Sequence, residues 1–82
     1  MRKKLERLVL LALNACDGLP MPEDSLVAAV QVMSRPETPT RSDVLDAIKA
    51  AEVDGFAQGA NDALTSTTWT LTTKGTHKAR QL

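Results

Sequence analysis

Apolar residues follow a helical period in three successive stretches, and the pattern changes to alternation near the C-terminus. Leu5, Leu8, Val9, Ala12 and Cys16 recur at spacings of three and four, which places one apolar face on a helix over about 3–17. Leu10, Leu11 and Leu13 widen that face until most of the circumference is apolar. Such a helix belongs near the centre of a fold, with Arg2, Lys3, Glu6, Arg7 and Asn14 on its wet side. Asp17-Gly18 ends it, because glycine adopts the left-handed conformation that closes helices.

Leu19-Pro20-Met21-Pro22 reads as a stiff connector. Pro22, Glu23 and Asp24 then open a second helix over about 22–34, proline fitting the first turn and acids complementing the helix dipole. Leu26, Ala29, Val30 and Met33 supply its inward stripe, and Pro36 and Pro39 bar its extension beyond Ser34. A third helix, about 40–54, starts at Thr40, with Asp43 three residues on to complete a capping-box exchange. Its stripe is Val44, Leu45, Ile48 and Ala51 or Val53, and its outer face is Ser42, Asp43, Asp46, Lys49, Ala50 and Asp54. Gly55 stops it.

From Phe56 the period shortens. A hairpin is predicted over about 56–72, with one strand from Phe56 to Ala60 and a tip between about Gly59 and Ser66, where Gly59, Asn61 and Asp62 favour turns. The return strand alternates, Trp69 and Leu71 to one side and threonines to the other, and Trp69 is expected to pack over the third helix. Thr72 or Thr73 then caps a short helix over about 73–82, with Ala79 and Leu82 turned inward. The fold class is mainly α with a small antiparallel β-hairpin, in the order α-α-α-β-β-α.

Composition narrows the function classes. At 82 residues the chain is expected to form a single domain, and 43% apolar with 24% charged residues is ordinary for a globular protein. Phe56 and Trp69 are its aromatics, so the core must be aliphatic. The apolar run from Leu8 to Leu13 is far short of a bilayer span, and the charges around it do not suit a signal peptide, so the expected location is the cytoplasm. One cysteine, Cys16, allows no internal disulfide, and with His77 the single histidine no four-ligand zinc set can form. Cys16 and the methionines Met21 and Met33 read as packing residues. His77 has no orienting partner at useful spacing and the glycines are isolated, so neither nucleophilic catalysis nor a phosphate loop is expected, and no cofactor. The chain reads as a non-enzyme.

The phrase Asp54-Gly55-Phe56, hairpin, Trp69-Thr70-Leu71-Thr72 and Gly75, behind three helices, resembles the winged-helix fold over essentially all residues. It is similar to the helix-Gly-aromatic … Leu-Thr-x-x-Gly ending of bacterial winged-helix regulators of the MarR and PadR kind. The resemblance implies that the third helix enters a DNA major groove while the wing touches an adjacent backbone or minor groove. Recognition positions would then be Thr40, Arg41, Ser42, Asp46, Lys49 and Ala50, with Ala63, Leu64, Thr65 and Ser66 at the wing tip. Arg35, Lys74, Lys78 and Arg80 would supply phosphate contacts, although each also reads as a solvated surface charge. The implied partner is double-stranded DNA, bound by a homodimer or with a partner protein.

The chain departs from that pattern in three respects. The connection from Ser34 to Thr40 is longer than a tight helix-turn-helix turn. The third helix carries Asp43, Asp46, Glu52 and Asp54 against Arg41 and Lys49, and the wing has Asp62 but no Lys or Arg at its tip. Net charge is zero, with basic ends and an acidic middle. An alternative role follows: a protein-interaction module in which Asp43, Asp46 and Asp54 meet a basic partner without DNA.

Overall fold

A computed structural model of the chain describes residues 2–16, 18–37, 39–61 and 67–82. The elements are α1 (Arg2–Asn14), β1 (Met21–Pro22), α2 (Glu23–Met33), α3 (Arg41–Val53), β2 (Ala57–Ala60), β3 (Thr68–Leu71) and α4 (Thr73–Arg80). The wing-tip candidates Ala63, Leu64, Thr65 and Ser66 lie outside the described residues, as does Asp17.

The broad apolar face of α1 puts it at the centre, against α2, α3, α4 and β3. Leu5, Val9, Leu10, Ala12 and Leu13 are buried, while Lys3, Lys4, Arg7 and Asn14 face water. Leu26 and Val30 from α2 and Val44 and Ile48 from α3 complete the interior, none with measurable exposure. Burying each such side chain stabilises the fold by about 1.5–3 kcal/mol. The helix ends at Asn14, before the predicted stop, and a turn with Leu19 N–H donating to the Cys16 carbonyl follows. Gly18 lies in that turn at φ +82.

Met21–Pro22 is a strand rather than a connector, pairing antiparallel with β3 as Met21 opposite Trp69 and Pro22 opposite Thr68. Proline suits it because the sheet order β1-β3-β2 makes β1 an edge. Two residues are too few to show an alternation, so the strand had no periodic signature. On the other side β2 pairs with β3 from Ala57 opposite Leu71 to Ala60 opposite Thr68. Gly59 therefore belongs to a strand and not to the tip of the turn. Its missing side chain makes room for Trp69, whose ring atoms would lie 3.1 Å from a Cβ there.

Trp69 is buried, in one apolar cluster with Val44, Ala47, Ile48 and Ala51 of α3. Its ring lies against Gly59, and its Nε1–H donates to Glu23 Oε1 at 3.3 Å. Met33, Val53 and Leu82, assigned inward by period, are 43%, 85% and 39% exposed. Met33 is the last residue of α2, Leu82 lies beyond the end of α4, and Val53 points away from the buried face of α3, where Ala51, the other alternative, is the buried residue. Val27 and Ala47 fill core positions instead.

One interlocked cluster joins α3, the sheet and α4. Gly55 turns the chain at φ +80, and Phe56 N–H donates to the Ala51 carbonyl. Thr72 N–H then donates to the Phe56 carbonyl, and the Thr72 hydroxyl donates to the Gly55 carbonyl at 2.5 Å while accepting from Gly75 N–H at 3.0 Å. The hydroxyl is thus both a tie to the α3 stop and the N-cap of α4.

Candidate nucleic-acid interface

The first turn of α3 is set by a capping box. Thr40 Oγ1 accepts from Asp43 N–H at 3.1 Å, and Asp43 Oδ2 accepts from Thr40 N–H at 3.2 Å. The long loop before it is tied back to α2, because Gln31 Nε2 donates to the Pro39 carbonyl at 3.0 Å. Val44, Ala47, Ile48 and Ala51 anchor the inner side of α3. Thr40, Arg41, Ser42, Asp43, Asp46, Lys49 and Asp54 are consequently exposed along its outer side, and Ala50 is half-buried among them.

Arg41 is engaged within the chain. Its Nη2 lies 2.6 Å from Asp24 Oδ1 and 3.9 Å from Glu23 Oε2, both acids in the first turn of α2. Lys49 borders an open groove of about 820 Å³ between α3 and the start of α1. Asp43, Asp46, Asp54 and Glu6 supply carboxylates to that groove, Lys3 joins Lys49 as a cation, and Leu5, Ala50 and Val53 add apolar surface. The local field around Lys49 is therefore more acidic than basic.

The remaining basic candidates occupy other ground. Lys74 donates through Nζ to the Asp54 carbonyl at 3.0 Å and sits 5.1 Å from the centre of the Phe56 ring. A cation at the carbonyl end of a helix complements its dipole and satisfies an open acceptor, so Lys74 acts as a C-terminal cap of α3. His77, Lys78 and Arg80 are exposed in the last turn of α4, where they complement that helix's own dipole. Arg35 is exposed in the loop after α2. Arg41 and Lys74 mark opposite ends of α3, about 18 Å apart at 1.5 Å per residue. Arg41 is thus apart from Lys74, while Lys74 meets the C-terminal end of α3 at Asp54, which also lines the groove of Lys49.

The pairings of Asp24 with Arg41 and of Glu23 with Trp69 had no sequence signature beyond the acids' place in a first helical turn. Cys16 is half-buried, its thiol 3.6 Å from the Ala12 carbonyl and 3.8 Å from Met21 Sδ. Among the described residues no group of three His, Cys, Asp or Glu side chains is placed to hold a metal ion, and no helix is long and apolar enough to cross a membrane.

No family model and no curated protein matches the chain. A solved structure does: a mutant of S. aureus MepR, a MarR-family winged-helix regulator, matches with a TM-score of 0.71 at 21% identity. The match covers 94% of this chain and 53% of that one, so this chain spans about half the length of the regulator it resembles. At that identity the likeness is one of architecture. The fold is a winged helix.

Proposed function

We propose that the chain is a duplex-DNA-associated winged-helix module with a role in transcriptional regulation, either as a regulator or as an accessory factor. The observation that carries this reading is the exposed outer side of α3, held by its capping box beside the β2–β3 hairpin in the architecture shared with MepR. In this reading α3 enters the major groove, Ser42 and Lys49 reach base edges, and Arg41 and Arg35 meet phosphates. Lys78 and Arg80 of α4 extend the contact along the backbone. The acids on α3 make a single copy a weak binder, so working affinity comes from a homodimer or a partner protein.

Fluorescence anisotropy with a random-sequence duplex at low salt tests the reading. Binding that weakens as salt rises supports it, because counterion release makes phosphate contacts salt-sensitive. Lys49→Glu should then weaken binding about tenfold or more, at the scale of a lost charge-assisted contact with added repulsion. Absence of binding with tens of micromolar protein would remove DNA association for this chain.

A further inference from the structure

We infer that the first turn of α3 is self-masked: Asp24, assisted by Glu23, holds the Arg41 guanidinium in an ion pair that competes directly with DNA. The inference rests on the DNA reading above and names what limits it. Arg41 Nη2 is 2.6 Å from Asp24 Oδ1, the distance of a charge-assisted hydrogen bond. A guanidinium reads guanine or grips a phosphate best with two N–H groups side by side, and here a carboxylate engages one of them.

The acids hold Arg41 from a fixed base. Glu23 backbone N–H donates to the Thr67 carbonyl at 2.9 Å, and its Oε1 accepts from Trp69 Nε1, leaving Oε2 toward Arg41. Glu23 thus joins the central strand of the sheet to the α3 entry. The side chains of Arg41 and Asp24 are 53% and 70% exposed, so the mask is open to solvent and can be exchanged for an external anion. Its hold is correspondingly small. Exposed ion pairs are weak, and releasing this one should tighten DNA binding by about two- to fivefold.

A double-mutant cycle separates masking from bulk charge. Asp24→Asn, Arg41→Ala and the double variant are each titrated with the same random duplex, after circular dichroism shows that all are folded. Masking requires Asp24→Asn to tighten binding when Arg41 is present and to lose most of that gain in the Arg41→Ala background. Glu23→Gln, which keeps an acceptor for Trp69, should give a smaller gain in the same direction. Equal tightening in both backgrounds would identify a general charge effect and overturn the mask. So would wild-type binding that Asp24→Asn leaves unchanged. If no variant binds duplex, the DNA reading falls and the mask falls with it, a result distinct from either of the others.

Discussion

Gly75 lies where a methyl group has no room. A Cβ built on it would sit 1.8 Å from the Phe56 carbonyl oxygen, a backbone atom fixed by the Thr72 N–H bond. Gly55 is needed for a different reason. Its φ of +80 suits glycine, while the nearest atom to an added Cβ is Lys74 Cδ at 3.8 Å. The two roles respond differently to asparagine, which tolerates the left-handed region but still carries a Cβ. Gly75→Asn and Gly75→Ala should each cost about 3 kcal/mol or more, because the helix must move off the strand. Gly55→Asn should cost well under that, and Gly55→Ala about 1–2 kcal/mol. Urea denaturation of the four variants checks the order; equal losses at the two sites would refute the steric account of Gly75.

At the scale of elements, signals contained in a few neighbouring residues were legible and those between distant elements were not. Thr40 and Asp43 are three residues apart, and their reciprocal bonds follow from that spacing alone. Thr40→Ala should therefore destabilise the protein by about 1 kcal/mol, read by thermal denaturation, and Thr40→Ser should recover most of the loss. The cap of α4 was readable as Thr72 or Thr73, and the bond from Gly75 N–H selects Thr72, whereas the close approach of Gly75 to Phe56 joins distant residues and had no local signal. By contrast, β1 consists of two residues whose partners lie in β3, far along the chain. The burial of Trp69 was legible and its contact with Gly59 was not, since Gly59 reaches it through strand register. Period placed Met33 on the stripe of Leu26 and Val30, but it does not tell whether a neighbour covers the last turn. Of the alternatives Ala51 and Val53, Ala51 is the buried one, since Val53 lies about half a turn from Val44 and Ile48. The pair Asp24–Arg41, which sets the charge of the candidate site, depends on the packing of α2 against α3 and lay beyond any local pattern.

The whole molecule measures 34 × 29 × 21 Å. Half-sites read from one face of a duplex recur about every 34–36 Å, so two copies can occupy successive major grooves without overlap. That spacing matters because one copy brings little positive charge to DNA. Arg41 and Lys49 are the cations on the presented side of α3, with Lys3 across the groove from Lys49, and Asp43, Asp46 and Asp54 stand among them. Phosphate contacts from Arg35 and Arg41, with Lys78 and Arg80 extending them, would give a slope of log affinity against log salt of about −4, shallow for a protein that acts alone. Joining two copies through a flexible linker long enough to span adjacent half-sites should about double that slope, because both faces then release counterions. The same fusion should tighten binding by about a hundredfold or more through effective concentration. Anisotropy titrations of the single and fused chains across a salt series measure both quantities. Charge reversal at Lys78 and Arg80 should flatten the single chain's slope to about −2, and an unchanged slope would mean that the α4 cations stay off the duplex. A fused chain with an unchanged slope would mean that only one copy engages the duplex at a time, and the two-copy arrangement would have to be abandoned.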